Sequence, residues 1–169
     1  VEVEADWRPS AHFALSTTAA FSRNRIDEWT QFYDVYDADF TWSGRRSVLH
    51  KDVDPLMSPS VLVSQSVVWT PTSRFSAGAL VRHTGRAFLD NTADRAFSVA
   101  SRNIVDANVS WSLNDLMRVS LSVGNVFDAQ AAWTSGYSYR YFMEEERTGT
   151  AYFFPEATRN ATLLFDFTL

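Results

Sequence analysis

The chain has 169 residues, a net charge of −5 at pH 7 and no cysteine, and its length is that of one domain. The acidic balance argues against a nucleic-acid-binding protein, since that class presents a basic face. The absence of cysteine excludes disulfides, thiolate metal sites and a cysteine nucleophile. No apolar run approaches the roughly 20 residues that a transmembrane helix needs, so a helical membrane protein is excluded.

Seven segments alternate between apolar and polar residues, and this period of two predicts β-strands with one apolar and one polar face. The last segment shows the pattern best, with Leu163, Phe165 and Phe167 on one face and Thr162 and Asp166 on the other. Each strand is long enough to match the roughly 9–11 residues of a tilted membrane strand. In chain order the predicted strands cover residues 1–8, 12–22, 61–70, 75–82, 105–113, 117–124 and 160–169.

The connections between these strands alternate in length. Arg8–Ser10, Thr70–Ser73 and Asn114–Asp115 predict tight turns, because they consist of turn-forming residues. The other connections are long, and they cover residues 27–59, 86–100 and 128–157. Short turns at one end and long segments at the other are typical of outer-membrane barrels. We therefore predict an all-β fold, an antiparallel up-and-down meander of about seven long strands that forms part of a transmembrane β-barrel.

The direction of the apolar face separates a membrane barrel from a soluble one. Trp7, Trp69 and Trp111 each lie near a short turn, which suits an aromatic girdle at a membrane interface. In a soluble barrel the same rings would pack in the core, because such a barrel turns its apolar face inward. The strand lengths and the long connections favour apolar residues outside and polar residues inside.

Two segments near the end of the chain resemble TonB-dependent receptors of the bacterial outer membrane. Residues 119–128 (VSLSVGNVFD) resemble the penultimate strand of that family, which typically ends in Asn-Leu-Phe-Asp, with Val126 in place of the Leu. Residues 152–160 (YFFPEATRN) look like the segment that enters the family's final strand, with Thr158 where Pro is common. Residues 135–141 are also similar to loops of some of these receptors, and the specific motifs cover about the last fifty residues.

The final strand looks like a signal for the barrel assembly machinery, although Leu169 replaces the more usual terminal Phe. The resemblance implies an N-terminal plug domain, a segment that contacts TonB, and a barrel of about 22 strands. Seven strands with open edges are unfavourable in lipid. We therefore expect residues 1–169 to be the C-terminal barrel segment of such a receptor, with no plug domain present and with TonB contacted through the part that precedes it.

The sequence contains no recognisable catalytic or metal-binding pattern. His12, His50 and His83 are far apart, and no nucleophile elbow, phosphate loop or zinc motif occurs. The acidic cluster at positions 34, 37 and 39 lacks the spacing of a calcium-binding hand, so we interpret it as a solvated loop. Glu144–Glu146 is interpreted as an exposed loop tip. We expect a protein that is not an enzyme and that has neither cofactor nor bound metal.

The long connections contain more aromatic residues than exposed segments normally do. The resemblance implies that outer loops form a ligand vestibule, in which aromatic rings stack on the ligand and arginine pairs with its negative charge. Alternatively, these rings pack on each other or form an outer aromatic girdle. The candidate ligand-binding residues are Trp29, Tyr33, Tyr36, Trp42, Trp133, Tyr137, Tyr139, Arg140 and Tyr141.

The resemblance implies a receptor in the bacterial outer membrane that takes up a scarce nutrient, such as a ferric siderophore, and contacts lipid and lipopolysaccharide. Two alternatives remain open from the residues alone. The chain could belong to another outer-membrane barrel, an autotransporter or a porin-like protein. It could also be a soluble, lipocalin-like binding barrel whose apolar faces point inward.

Overall fold

The structure is a computed structural model that describes residues 1–129 and 133–168, with only the backbone described for Trp133. The chain forms β-strands almost throughout, and a short 3₁₀ helix covers Arg95–Phe97. Among the described residues, no helix is long and apolar enough to cross a lipid bilayer. The strands are β1 (Glu2–Ser10), β2 (Phe13–Phe21), β3 (Ile26–Tyr36), β4 (Trp42–Val53), β5 (Val61–Thr72), β6 (Phe75–Thr84), β7 (Ala87–Phe88), β8 (Ser98–Val99), β9 (Arg102–Ser112), β10 (Met117–Gly124), β11 (Trp133–Met143), β12 (Glu146–Pro155) and β13 (Asn160–Phe167).

Seven of these strands form one antiparallel sheet in the order β1-β2-β5-β6-β9-β10-β13. They coincide with the seven strands predicted from the alternation, so the predicted meander is confirmed. The register brings apolar residues side by side: Trp7 pairs with Leu15, Leu15 with Val67, and Val67 with Ala79. A slip of one residue would move a whole strand's apolar set to the wrong face, so this alignment fixes the register. The predicted end of the last strand, Leu169, lies outside the described residues.

Two of the three tight turns lie slightly further along the chain than predicted, whereas Asn114–Asp115 lies in the turn between β9 and β10 as predicted. Pro9 and Pro71 belong to the ends of β1 and β5, and the register shifts between Trp7 and Ser10 and between Trp69 and Thr72. Proline has no backbone N–H to donate to a neighbouring strand, so it interrupts the pairing without ending the strand. The prediction that these prolines mark the turns themselves was therefore wrong by one or two residues.

The long connections are not irregular loops. The first contains the hairpin β3–β4, the second the short pair β7–β8, and the third the hairpin β11–β12. The acidic cluster is likewise partly in a strand: Asp34 lies in β3, while Asp37 accepts hydrogen bonds from the backbone N–H groups of Asp39 and Thr41 in the turn that follows. The expectation of a solvated acidic loop was therefore wrong for Asp34.

The seven-stranded sheet is polar on its concave face and apolar on its convex face. A cavity of about 510 Å³ lies against the polar residues of β5, β6, β9, β10 and β13, including Ser66, Asn108 and Thr162. A face can hold such a cavity only if it curves inward. Trp7 and Trp111 lie on the opposite, convex face near the short turns and are 62% and 56% exposed. A lipocalin-like barrel has the reverse arrangement, so that alternative is not supported.

The buried core lies outside the seven-stranded sheet. Of the apolar residues that are buried among the described residues, only Ile104 belongs to that sheet. The sheet is a single layer, and its apolar convex face has no protein packed on it among the described residues. The other buried apolar residues lie in the long connections: Tyr33, Val53, Ala87, Leu89, Val99 and Phe142.

The Asn-Val-Phe-Asp motif forms a compact turn that ties three strands of the sheet together. Asn125 is buried and has a φ of 50°, a left-handed conformation that asparagine tolerates better than most residues. Its backbone N–H donates to Asp106 Oδ1 on β9 at 2.9 Å, and its side-chain amide donates to the Ala157 carbonyl ahead of β13 at 3.2 Å. Asp128 Oδ1 accepts from the Arg159 N–H at 2.9 Å. The motif therefore sets where the chain leaves β10 and where it re-enters at β13.

A polar pair interrupts the apolar convex face at mid-height. Thr17 and Gln65 pair across β2 and β5, and the Thr17 hydroxyl donates to Gln65 Oε1 at 2.6 Å. The Gln65 amide donates at 3.3 Å to the backbone carbonyls of Ser16 and Ser66. Gln65 breaks the alternation of β5, and these hydrogen bonds explain how the sheet accommodates it: each polar atom of the amide has a partner.

We expect Thr17→Val to destabilise the protein by about 1–2 kcal/mol, because the change keeps the side-chain shape but leaves Gln65 Oε1 without its donor. The double variant Thr17→Val with Gln65→Leu should recover most of that loss, since both partners are then apolar. Urea unfolding in detergent micelles measures both free energies. A double variant no more stable than the single one would contradict this account.

Candidate ligand-binding site

The two long hairpins join into a second sheet, with strand order β12-β11-β3-β4. The join is a short parallel pairing in which Val35 lies beside Phe142 and Tyr36 beside Met143. The Glu144 N–H also donates to the Tyr36 carbonyl at 2.7 Å. We call this sheet, together with β7 and β8, the outer layer, because it continues the seven-stranded sheet at the end away from the short turns.

An arginine on the β3–β4 hairpin forms a salt bridge with the turn of the β11–β12 hairpin. The Arg46 guanidinium donates to both oxygens of Glu145, at 2.9 and 2.8 Å. The same guanidinium lies 4.5 Å from the centre of the Phe142 ring. Phe142 in turn meets Tyr33 edge to face at 5.5 Å. The predicted acidic tip at residues 144–146 is therefore a contact between the hairpins, and a bidentate pair of this kind holds a defined geometry.

Aromatic rings collect where the two hairpins meet. Tyr36, Phe40, Tyr139 and Tyr141 form what we call the tyrosine cluster: Tyr141 contacts each of the other three rings and Tyr36 also contacts Phe40, with ring centres 5.6–6.3 Å apart in these pairs. The hydroxyls of Tyr36 and Tyr139 are 3.4 Å apart, and this contact raises the pKa of Tyr139. Phe40 and Tyr139 are 64% and 48% exposed. The cluster therefore packs internally and still presents ring surface to the outside.

The remaining exposed candidates each have a partner of their own. Trp42 is 57% exposed and its indole N–H donates to Asp34 at 3.2 Å; the hydrogen bonds from Arg45 and then from Trp42 hold the pKa of Asp34 below its usual value. Trp29 is 37% exposed and donates to Gln31 Oε1 at 3.1 Å. Tyr137 is stacked on Tyr152 with ring centres 4.8 Å apart. The side chain of Trp133 lies outside the described residues.

Tyr33 and Arg140 lie inside the outer layer instead of on its surface. Tyr33 is only 1% exposed, and its burial raises the pKa of its hydroxyl. The Arg140 side chain is 6% exposed and pairs with Asp94 Oδ2 at 2.8 Å and Asp90 Oδ2 at 3.4 Å. It also donates to Thr92 Oγ1 at 2.8 Å and lies 4.2 Å from the centre of the Phe97 ring.

Asp90 is the anion around which the buried charges are arranged. It is 14% exposed and accepts hydrogen bonds from the Ser138 hydroxyl at 2.6 Å and from the Thr92 N–H at 3.1 Å. Burial by itself raises the pKa of Asp90, but these hydrogen bonds and the Arg140 charge outweigh it, so the pKa is lowered. Asp90 and Asp94 were not identified from the sequence, because no local pattern connects them with an arginine far along the chain.

The structure therefore places six of the predicted site residues in two groups, while Trp29 and Tyr137 lie apart from both and the side chain of Trp133 is not described. Tyr36, Trp42, Tyr139 and Tyr141 come together around the join of the hairpins, and Phe40 belongs with them. Tyr33 and Arg140 hold the outer layer together from within. Among the described residues, no group of three or more histidine, aspartate or glutamate side chains is placed to hold a metal ion.

A comparison with known protein families found no match, and neither did a comparison with curated proteins. Solved structures do match. The siderophore receptor PiuA from Acinetobacter baumannii matches 98% of this chain at a TM-score of 0.68 and 14% identity, and 21% of its own length is covered. The ferric yersiniabactin uptake receptor FyuA from Yersinia pestis matches 98% at a TM-score of 0.58 and 15% identity, with 22% of its length covered.

The copper transporter OprC matches 98% of this chain at a TM-score of 0.55 and 14% identity, with 22% of its length covered. These proteins are TonB-dependent outer-membrane receptors, and the match falls on their barrel. The chain has the fold of part of a TonB-dependent receptor barrel. The predicted fold class and the resemblance are thereby confirmed at the level of the fold. The chain spans about a fifth of the length of these receptors.

We expect Arg140→Met to lower the free energy of opening of the outer layer by about 3 kcal/mol or more, because the variant leaves the Asp90 carboxylate buried without its cation. Hydrogen exchange of the amides in β11 and in residues 87–99 measures this opening. Arg45→Met is the matched control: it breaks the exposed pair with Asp34, in which the Arg45 side chain is 71% exposed, and such pairs contribute about 0–1 kcal/mol. Equal protection in both variants would contradict a holding role for Arg140.

Acid should also loosen the outer layer through His50. Burial, followed by the charges of Arg147 and Arg140, lowers the pKa of His50. The opened layer therefore binds a proton at the usual histidine pKa of about 6.5, whereas the closed layer resists it, so stability falls as the pH drops below that value. Exchange of the β3–β4 amides at pH 7 and pH 5 measures the loss. His50→Gln should remove this part of the pH dependence, and an unchanged profile would refute it.

Proposed function

We propose that the protein is an outer-membrane receptor and transporter of the TonB-dependent class and that this chain forms part of its barrel wall and ligand vestibule. The observation that carries the proposal is the orientation of the seven-stranded sheet. Its convex face is apolar and exposed, whereas its concave face is polar and lined by residues such as Ser66 and Asn108. A barrel wall with lipid outside and an aqueous lumen inside requires this arrangement.

The position of the aromatic rings supports the same proposal. Trp7, Trp69 and Trp111 lie at the short-turn end of the convex face, and Trp69 meets Phe75 edge to face at 5.9 Å. Interfacial aromatic girdles occupy this level in membrane barrels. We infer that the short turns face the periplasm, that the outer layer faces the exterior, and that the apolar face contacts lipid and the inner part of lipopolysaccharide.

We propose that the transported ligand is a scarce nutrient such as a ferric siderophore. We also propose that the tyrosine cluster contacts this ligand. PiuA and FyuA are described as a siderophore receptor and a ferric yersiniabactin uptake receptor, and OprC as a copper transporter. The exposed rings of Phe40 and Tyr139, with the half-buried ring of Tyr36 beside them, offer faces on which an aromatic or cationic ligand can stack. In this proposal the barrel binds and admits the ligand without any chemical step.

Two further partners belong to the proposal. Energy reaches the receptor through the TonB system, by way of parts of the protein other than this chain. β13 supplies the alternating strand that the barrel assembly machinery recognises: Phe165 and Phe167 lie on one face and Asp166 between them on the other. The likeness of this chain's fold to the receptors described above supports both parts of the proposal.

The test of the vestibule is a triple variant, Tyr36→Ala with Tyr139→Ala and Tyr141→Ala, in the complete receptor. Stacking on rings contributes about 0.5–1.5 kcal/mol for each contact, so we expect binding of a ferric siderophore that the cell takes up to weaken by about tenfold or more. Fluorescence quenching during a titration with that siderophore measures the affinity.

Two controls accompany this variant. The corresponding triple Tyr→Phe variant keeps the rings and should retain affinity within about threefold, since stacking needs no hydroxyl. Trp111→Leu, at the opposite end of the sheet, should bind as the unaltered receptor does. Unchanged affinity in the triple alanine variant would exclude the tyrosine cluster as a ligand contact.

A further inference from the structure

The outer-layer sheet ends in two edge strands of different composition. β4 forms one edge and carries Arg45, Arg46 and Lys51, whereas β12 forms the other edge. Residues 148–154, the middle of β12, contain no charged side chain. Among the described residues, β11 is the only strand that pairs with β12. Charged side chains, lysine above all, keep exposed edge strands from pairing with further strands. The edge of β4 is therefore protected in this way, and the edge of β12 is not.

Two aromatic rings are exposed along the β12 edge. Tyr152 and Phe154 are 46% and 54% exposed. Tyr137 on β11 covers them from one side, since its ring stacks on Tyr152 with centres 4.8 Å apart and lies 6.3 Å from the centre of the Phe154 ring. Among the described side chains, no other ring contacts either of them. Side-chain contacts between neighbouring strands stabilise a sheet, so a further strand beside β12 could cover the other side of these rings.

The stretch of chain that contains β12 and β13 keeps the same neighbour along its whole length. β12 pairs with β11 at the outer end, and β13 pairs with β10 below it. Between them, residues 156–159 stay beside the turn that follows β10. The Ala157 carbonyl accepts a hydrogen bond from the Asn125 side chain at 3.2 Å, and the Arg159 N–H donates to Asp128 at 2.9 Å. The free edges of β12 and β13 therefore form one continuous border on the opposite side.

We propose that one further strand of the complete receptor pairs antiparallel with both β13 and β12, so that the barrel wall continues into the outer layer along this border. The inference rests on the proposed function, because it is in lipid that the free edge of β13 requires a partner. This chain spans about a fifth of the length of the receptors whose fold it shares, so the partner strand belongs to the remainder of the receptor.

The directions of the strands make one partner sufficient. Neighbouring strands of a membrane barrel alternate in direction, and β13 runs toward the short turns, antiparallel to β10, so its partner runs toward the outer layer. If that strand continues past Pro155, it lies beside β12, which has the same direction as β13. Such a strand would be about 20 residues long, since pairing is residue by residue and β12 and β13 together reach from Glu146 to Phe167.

Cross-linking in the complete receptor tests the shared strand. A single cysteine is introduced as Thr150→Cys on β12 or as Thr162→Cys on β13, and it is labelled with a benzophenone maleimide. Mass spectrometry after irradiation identifies the captured residues. We expect both sites to capture one continuous segment outside residues 1–169. The residues captured from Thr150→Cys should lie about ten positions further along that segment than those captured from Thr162→Cys, because the shared strand runs antiparallel to both.

Leu49→Cys on β4 is the matched control, because Leu49 is 52% exposed on the opposite, protected edge strand. It should not capture the segment that Thr162→Cys captures. The inference is overturned if Thr150→Cys captures a different segment, a second copy of the protein, or nothing outside this chain while Thr162→Cys captures its strand; the proposed barrel then stands. If Thr162→Cys captures no other segment of the receptor, the proposed barrel and this inference fall together.

Hydrogen exchange in the unaltered receptor gives a second measurement, which does not depend on the folding of a variant. Alternate amides of an edge strand point away from its single partner, whereas a strand with two neighbours has every amide paired. We expect all amides of residues 148–154 to exchange at least about tenfold more slowly than the outward-pointing amides of β4, because paired amides exchange only when the structure opens. Alternating fast and slow exchange along β12 would overturn the inference.

Discussion

Lateral hydrogen bonding between seven strands is the interaction on which the whole structure depends. The sheet is one layer thick, and of its apolar side chains only Ile104 is buried among the described residues. Packing therefore cannot hold it together, and the paired backbone of β1, β2, β5, β6, β9, β10 and β13 does so instead. Such a sheet is stable only in surroundings that cover its apolar face, as a lipid bilayer would. A bilayer would also strengthen the pairing between strands, because an unpaired backbone N–H or C=O group is costly in lipid.

The outer layer, unlike the seven-stranded sheet, has a buried apolar core. Its buried core consists of residues such as Tyr33, Val99 and Phe142, which pack within the layer. Charges that would be costly to bury alone are buried together around Arg140. This core supports the tyrosine cluster, of which Phe40 and Tyr139 are exposed. Binding groups held by such a support lose little freedom when a ligand arrives.

The alternation of apolar and polar residues was enough to predict the seven strands, because each strand has one apolar face and one polar face. Gln65, which departs from the pattern, is explained by a partner on the next strand, Thr17. The outer hairpins were missed as strands, since both of their faces mix aromatic, charged and polar residues. The role of Arg140 was beyond sequence reasoning for a different reason: its partners Asp90 and Asp94 are brought to it only by the folded chain.

The parallel contact between Val35 and Phe142 has a consequence for the order in which the molecule forms. Each hairpin can close as soon as its own strands are made, because its two arms are neighbours in the chain. Their union joins distant parts of the chain, and the pairing of β5, β6, β9 and β10 shortens the loop that it closes, so we expect the union to follow that pairing. The Arg46–Glu145 contact is therefore expected to form only in molecules in which the strands between the two hairpins have already paired.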